Sequence, residues 1–425
     1  MLCRDRAEPF VGPPGGIARI TLMLALILAA RGVRADWPEW RGPDGSGRVP
    51  DAGFAEAWPE GLNTVWRRPI GGGYAGIAAV DDKILTLDRQ TEPREIERVL
   101  CVAADSGEPL WTDEYDVAYG DLDYGNGPRA CPTIVNGRVY TLGALGHLRC
   151  LDLETGKLLW RAHLVDDLRG RRPTWGYSAS PRLVDGRLIV QPGGEDGNSV
   201  VALDAATGAV HWKCLSDEAG YTWPIVVESG GVRQLVCWTP SHIRGVDLES
   251  GRPLWDVPYE IQYGVAIATP IEVDGLVLVC GYWAGSKAIR LGPGPEDATL
   301  EWEENRYLRG LMSQPLVRDG LAYLLDKQYG ITCFDPATGT KLWDDRNTLT
   351  RRDRNPQASL VWIGDSDRVL ALNAEGELVQ ARFTREGLTE LGRAKVLGET
   401  WAHPAYSGRR VFARSDSELV CVELP

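Results

Sequence analysis

Residues Cys150–Trp160, CLDLETGKLLW, are one copy of a motif that the chain repeats. Further copies are Ala202–Trp212, Gly245–Trp255 and Cys333–Trp343, and Cys101–Trp111 is a weaker copy without the aspartate. Each copy predicts a β-hairpin in which an apolar strand ends at the aspartate, Thr/Ser-Gly forms the turn and a second strand carries the tryptophan. The aspartate accepts hydrogen bonds from the turn, and glycine adopts the positive φ that a tight turn needs. A repeat of about 40–50 residues is typical of propellers and solenoids.

The hairpin closes a longer unit of four strands. In Cys131–Trp160 an apolar strand, an Asn-Gly turn and a second apolar strand precede the hairpin, and Asn-Gly or Asp-Gly pairs favour such turns. The last unit, Trp401–Leu424, supplies three strands, whereas Asn63–Pro69 around Trp66 reads as an isolated fourth strand. We therefore predict an all-β protein, an eight-bladed β-propeller of four-stranded antiparallel blades. Its ring is closed by the N-terminal strand near Trp66.

One aromatic position recurs in the fourth strand of the units. We interpret these tryptophans as structural wedges between blades, each burying a large ring and hydrogen-bonding its N–H locally. The drifted unit Gln357–Lys395 has Leu391 where we expect the tryptophan. The structural-repeat residues are Trp66, Trp111, Trp160, Trp212, Trp255, Trp302 and Trp343.

Three segments are expected along the chain. Residues 1–35 read as a signal peptide, because arginines precede the apolar run 20–30 and a small-x-small site predicts cleavage near Ala35. Residues 36–62 form an N-terminal strap and residues 63–425 the propeller. We expect an exported protein, periplasmic or associated with the cell envelope, monomeric, and with no transmembrane span in the mature chain. Whether the first methionine is the true start stays open.

Charge and cysteine placement limit the partners and cross-links. The formal net charge is -13, which argues against nucleic acid, because a phosphate backbone selects a basic face. Cys101, Cys150, Cys333 and Cys421 occupy the same strand position in different units, too far apart for disulfides. Buried free thiols are the favoured interpretation, although the disulfide state of the eight mature cysteines stays open.

The hairpin consensus A/C-x-D-x-x-T/S-G-x-x-x-W resembles the PQQ-like β-propeller repeat. That superfamily includes quinoprotein alcohol dehydrogenases and the bacterial outer-membrane assembly scaffold BamB. The opening Trp37–Pro43 and the later Gly127–Arg129 look like those of exported PQQ-like proteins of the planctomycete type. The resemblance covers residues 36–425 and implies the fold; it does not imply one function.

The dehydrogenase branch of this superfamily implies a specific cofactor site. Its pyrroloquinoline quinone (PQQ) is held against calcium by carboxylate and amide ligands over a tryptophan floor, with an aspartate as base. In many members a disulfide between adjacent cysteines covers it. This sequence has no Cys-Cys pair and no haem-attachment C-x-x-C-H, and the calcium ligands are not identifiable. No cofactor is therefore predicted, with PQQ and calcium kept for the alternative function.

Other catalytic patterns are not found in the sequence. The five histidines are scattered over different units, and His147, His211 and His242 read as half-exposed strand residues. The acidic run Asp113–Asp123 fails the calcium-loop spacing and reads as a solvated loop. No catalytic residue and no metal ligand are predicted.

The loops that connect the outer strand of one blade to the inner strand of the next open on one face of a propeller, around its axis. Here they are rich in aromatic and polar residues, which suits a ligand or peptide site on a rigid scaffold. The alternative is that these residues only pack the blade tops. The candidate ligand-binding residues are Tyr74, Asn126, Arg129, Trp175, Tyr177, Tyr221, Trp223, Tyr263, Gln314, Trp401 and His403.

These observations favour an exported, non-catalytic binding or scaffold module that holds a protein, peptide or glycan through its axial face, as in the BamB branch. The alternative is a PQQ- and calcium-dependent quinoprotein oxidoreductase acting on alcohols or sugars. Some other, unrecognised activity is a third reading.

Overall fold

A computed structural model describes residues 37–59 and 61–425. The predicted signal peptide, its cleavage near Ala35 and Cys3 lie outside these residues. Within the described part of the chain, no helix has the length and hydropathy needed to span a bilayer. The only helices described there are the short 3-10 turns Pro43–Gly45 and Gln262–Gly264.

The repeated motif folds as a hairpin because its own aspartate and glycine stabilise the turn. In the copy at Cys150–Trp160, Asp152 Oδ1 accepts hydrogen bonds from Thr155 N at 2.9 Å and Thr155 Oγ1 at 2.7 Å. Gly156 follows with φ 69°, a conformation that costs glycine little. The Asp152 side chain therefore stabilises the turn through hydrogen bonds within its own hairpin, independently of any contact with another blade.

The strands form eight sheets, and each sheet contains one four-stranded antiparallel blade. Blades 1 to 4 consist, from inner to outer strand, of Ala78–Val80, Lys83–Gln90, Ile96–Ala103 and Pro109–Asp116; Thr133–Val135, Arg138–Leu142, His147–Asp152 and Leu158–His163; Arg182–Val184, Arg187–Val190, Val200–Asp204 and Val210–Cys214; and Ile225–Ser229, Val232–Trp238, His242–Asp247 and Pro253–Pro258. Blades 5 to 7 consist of Ile271–Val273, Leu276–Gly281, Gly285–Leu291 and Ala298–Glu304; Leu316–Arg318, Leu321–Asp326, Gly330–Phe334 and Lys341–Asp344; and Ala358–Ile363, Arg368–Asn373, Glu377–Phe383 and Leu388–Lys395.

Blade 8 joins the two ends of the propeller. Its first three strands are Ala405–Ser407, Arg410–Arg414 and Glu418–Glu423, and Asn63–Pro69 is the fourth, with Trp66 opposite Cys421. The predicted eight-bladed ring and its closure near Trp66 are confirmed. One addition is the short strand Arg48–Val49, which pairs in parallel with the inner strand of blade 7.

The tryptophan of one copy of the motif packs on the glycine of the next copy. Trp212 donates its indole N–H to Leu248 O at 3.2 Å in the turn of the following blade. A Cβ on Gly251 in that turn would lie 2.7 Å from the Trp212 ring, so this glycine gives both the turn φ and room for the ring. The same indole-to-turn bond is made by Trp66, Trp111, Trp160, Trp302 and Trp343.

Two positions depart from this pattern. Trp255 donates instead to Gln234 Oε1 within its own blade, at 2.7 Å. In blade 7 the register pairs Gln380 with Gly392 and Ala381 with Glu390, so Leu391 occupies the bulge and Gly392 the tryptophan position. Our assignment of Leu391 to that position was therefore wrong.

A tryptophan from the N-terminal segment fills this position. A Cβ on Gly392 would lie 2.7 Å from the Trp58 ring. Blade 8 has no turn between its third and fourth strands, because those strands come from opposite ends of the propeller. A tryptophan on blade 7 would therefore have no turn carbonyl to bond, and Trp58 covers the seam instead.

Two smaller expectations concern acidic residues and cysteines. Residues 113–116 of the acidic run belong to the outer strand of blade 1, where Asp113 pairs with Arg149 at 2.6 Å, so only the remainder is a loop. The ladder from Asp113 opposite Val99 to Asp116 opposite Ile96, together with this cross-blade pair, outweighs the low strand propensity of these acidic residues. The eight described cysteines are buried free thiols, and burial raises the pKa of Cys101 to about 12.

Candidate functional site

The inner strands surround the axis, and those of blades 8, 1, 2 and 3 contact one another in turn, as do those of blades 6 and 7. The N-terminal strap crosses this opening. Trp37 N bonds to Ala79 O of blade 1 at 2.7 Å, and Trp362 N of blade 7 bonds to Gly47 O at 2.8 Å. Between these contacts, Trp40 donates its indole N–H to Thr269 Oγ1, before blade 5, at 3.2 Å. The strap thus forms the floor of a cup, and Trp40 faces into it.

The cup is a cavity of about 440 Å³. Each of the eight loops between an outer strand and the next inner strand contributes to its wall. The structure brings together, in this wall, most of the candidate residues from the sequence, namely Tyr74, Arg129, Trp175, Tyr221, Trp223, Tyr263, Gln314, Trp401 and His403.

Two candidate residues do not line the cavity. Asn126 closes its own loop, accepting from Leu122 N and donating to Gly120 O, both at 2.9 Å. Tyr177 is 2% exposed and donates its hydroxyl to Pro192 O at 2.8 Å. Both side chains hold loops in place, because their polar groups are used within the protein.

Several lining residues were missed from the sequence. Tyr282 and Trp283 come from the turn between the second and third strands of blade 5, which the loop rule did not include. Arg354 and Asn355 precede the drifted blade 7, where the repeat is hard to align. The lining also includes Trp40 of the strap and residues of the predicted interblade loops that were not selected as candidates, namely Asp123, Tyr124, Ser178, Ala179, Ser180, Val265, Ile267, Thr269, Leu311, Met312 and Gln357.

Aromatic side chains form a continuous wall. Trp401 packs on Tyr74 and on Tyr124, each with ring centroids 5.6 Å apart. Tyr124 contacts Trp175 at 6.4 Å, and Trp175 contacts Tyr221 at 5.7 Å. Such rings offer flat apolar faces next to polar groups, a combination that suits ring-shaped ligands.

Two tyrosines at the mouth have an unfavourable backbone conformation. Tyr124 has φ 65° and Tyr263 has φ 60°, the left-handed region in which a side chain other than glycine costs about 1–2 kcal/mol. Their side chains are 45% and 67% exposed, and the neighbouring Trp283 is 42% exposed. Neither burial nor backbone preference explains these aromatic residues, and strain of this kind concentrates at functional sites.

His403 on the floor is neutral. Burial and the nearby Arg41 lower its pKa to about 3, and its ring packs on Trp40 with centroids 4.1 Å apart. A directional chain of hydrogen bonds fits this state, with Gln357 Nε2 donating to His403 Nε2 at 3.3 Å and His403 Nδ1 donating to Ser359 Oγ at 3.0 Å. His403 therefore holds the floor and carries no charge near neutral pH.

Comparison with known proteins places the fold. The family model for outer membrane protein assembly factor BamB matches residues 95–258 and 239–425. The chain belongs to this family of PQQ-like β-propellers. BamB of Moranella endobia (strain PCIT) is 24% identical over 288 residues, which are 63% of this chain and 68% of that protein. The crystal structure of BamB from Moraxella catarrhalis has a TM-score of 0.60 at 16% identity and covers 85% of this chain and 97% of that chain.

Besides the BamB proteins, the relatives include subunits of quinone-dependent alcohol dehydrogenases, which are enzymes by name. The dehydrogenase subunit of the quinone alcohol dehydrogenase of Komagataeibacter europaeus is 31% identical over 123 residues, which are 26% of this chain and 16% of that protein. Both kinds of relative therefore appear at low identity, and membership of the PQQ-like family does not decide between them.

The cup does not fit a calcium-bound quinone. Over residues 37–59 and 61–425, no group of three or more His, Cys, Asp or Glu side chains is placed to hold a metal ion, and Asp123 is the lining carboxylate in that range. Among the lining amide oxygens, Gln314 Oε1 already accepts from Thr269 N and Gln357 Oε1 from Ser313 Oγ, which leaves Asn355 Oδ1 in addition to the Asp123 carboxylate. Calcium requires about six to eight oxygen ligands, which these groups do not provide.

Proposed function

We propose that this protein is an exported, monomeric binding module that holds a ligand or a segment of a partner in its axial cup, without catalysing a reaction. The observation that carries the proposal is the aromatic wall, to which loops from separate blades contribute. A cavity of about 440 Å³ falls in the range of about 300–1,000 Å³ for small-ligand sites. A glycan, a peptide or one protruding residue of a partner protein fits this volume, and a folded domain does not.

The scaffold role is consistent with the construction of the cup. Its floor and wall are held by internal bonds, such as Trp40 to Thr269 and His403 to Ser359, so the site is formed before a ligand arrives. A preformed site loses less conformational entropy on binding. The family members named BamB are assembly factors by name, which supports a non-catalytic role here.

The proposal can be tested with a substitution that fills the cavity of the cup. Ser178 lines the cavity, and Ser178→Trp places a large ring in it, whereas Leu110→Trp enlarges a residue 48% exposed on the outer strand of blade 1. We expect wild-type protein and Leu110→Trp to bind the same members of printed oligosaccharide and peptide arrays, and Ser178→Trp to lose them. Identical profiles for all three proteins, or no binding to either array, would contradict the proposal.

The alternative function, a PQQ- and calcium-dependent oxidoreductase, is tested directly. Titration with PQQ and calcium together should leave both the cofactor absorbance and the Tm of the protein unchanged. A ligand of the folded state raises Tm according to its affinity and excess, so a calcium-dependent rise with a spectral change would establish the alternative.

A further inference from the structure

In the described part of the chain, three cationic side chains at the mouth of the cup form no ion pair. Arg129 and Arg354 line the cavity, and Lys327 Nζ lies 4.2 Å from the ring centroid of Tyr282 and 4.5 Å from that of Trp283. Among the carboxylates in the part of the chain that the structure describes, none lies within 4.0 Å of these three side chains.

The bonds that these cations do make orient them without neutralising them. Arg129 donates to the backbone oxygen of Gly125 at 2.7 Å and lies over the Tyr74 ring at 5.3 Å. Asp416 affects Arg129 only from beyond ion-pair distance. Below the floor, Arg41 is 6% exposed and its side chain bonds to Gly45 O at 3.2 Å. Arg129 and Arg354 outnumber Asp123, the lining carboxylate in the described residues, so the cup has a local excess of positive charge although the protein as a whole is negative, and such local fields select anions.

We infer that the ligand of the cup is an acidic saccharide, with its carboxylate facing Arg129 and Arg354 and its sugar rings lying against the exposed faces of Tyr124, Tyr263 and Trp283. This inference rests on the proposed binding function. Arginine forms its strongest hydrogen bonds with carboxylates. The hydroxyl group of Ser178 and the amide group of Asn355 in the same wall match the hydroxyl groups of a sugar.

The first experiment compares the binding of an acidic trisaccharide with that of a neutral trisaccharide built from the corresponding sugar. Calorimetric titration of the full chain with a galacturonic acid trimer should show binding that weakens as salt rises, because screening shortens the reach of exposed charges. The neutral galactose trimer should bind at least tenfold more weakly. Equal affinity for the two trimers would overturn the inference.

The second experiment removes the cations and one ring. The double variant Arg129→Gln and Arg354→Gln should lose at least tenfold in affinity for the acidic trimer, whereas Arg385→Gln, exposed in a turn between the third and fourth strands of blade 7, should lose none. Tyr263→Gly should also lose about tenfold while its Tm stays at the wild-type value. Wild-type affinity in the double variant, or loss only with a lower Tm, would contradict the assignment.

The outcomes separate the two proposals. The wild-type protein could bind neutral glycans or peptides and lose them with Ser178→Trp, yet not bind the acidic trimer. The cup would then be a binding site, and the assignment of an acidic saccharide as its ligand would be wrong. If no probe responds to Ser178→Trp, the binding function itself fails. Binding of PQQ alone, without the trimer, would also overturn the saccharide assignment.

Discussion

Two sets of aromatic residues in this propeller, those of the outer strands and those at the axial mouth, have opposite properties. Apart from Trp255, the repeat tryptophans of the outer strands donate an indole N–H to the turn of the next blade, as Trp212 does to Leu248, where Gly251 makes room for the ring. The aromatic residues at the axial mouth share no such environment. Tyr263 is 67% exposed with φ 60°, and nothing in the repeat requires it.

This difference separates stability from function within one residue class. An aromatic ring that is buried, hydrogen-bonded and matched by a glycine in each repeat stabilises the seam between blades. A ring that is exposed on a strained backbone contributes little to stability, and the proposed reason for it is contact with a ligand. The predictions below test this division, in order of decreasing effect on stability.

Trp212→Ala should destabilise the protein by about 3–5 kcal/mol, because it removes a large buried ring and leaves a cavity. Trp212 is 9% exposed, and its N–H bonds to Leu248 O. Urea unfolding should show the loss, and Trp212→Phe should lose less because most of the volume remains. A loss under 1 kcal/mol would show that the outer tryptophans are not seam residues.

Trp58→Ala should cost about 2 kcal/mol, less than Trp212→Ala, because Trp58 is only partly buried and replaces a repeat tryptophan without its turn bond. Gly392→Ala should also destabilise, since its Cβ would lie 2.7 Å from the Trp58 ring. In the Trp58→Ala background the same change should be nearly neutral. Additive effects in this double-mutant cycle would refute the packing of Trp58 at the closing seam.

His403 should make stability depend on pH. Its folded pKa of about 3 lies below its ordinary value, so the unfolded state binds the proton more readily, and stability falls as pH drops from 7 toward 3. His403→Gln should reduce the loss between pH 7 and pH 5 by about 1–2 kcal/mol. Unfolding curves at both pH values measure this difference. Parallel profiles for the two proteins would show that His403 is not buried as a neutral ring.

Tyr263→Gly should have the smallest effect, within about 0.5 kcal/mol, because relief of left-handed strain offsets the greater freedom of glycine in the unfolded chain. Thermal unfolding measures it. A loss near that of Trp58→Ala would move Tyr263 into the structural group.

How much of the site was predictable depended on where each residue lies. The loop rule brought Tyr74, Arg129 and Trp401 to one cup because every such loop ends at the axis. It missed Trp40, because the path of the strap depends on bonds to distant blades such as that to Thr269. It included Tyr177, because the sequence does not show whether a hydroxyl points into a cavity or bonds to Pro192.

The sequence by itself determined the repeat, the turn chemistry, the number of blades and the closing strand, because these depend on local spacing and on residues such as Asp152 and Gly156 that act within one hairpin. Tertiary structure alone decided the rest. The register of blade 7 assigned the tryptophan position to Gly392 and its occupant to Trp58. The strap covers one end of the axial channel and so makes it a cup, and Arg129, Lys327 and Arg354, which are far apart in sequence, lie together at its mouth. These features join residues far apart in sequence, whose proximity follows only from ring closure.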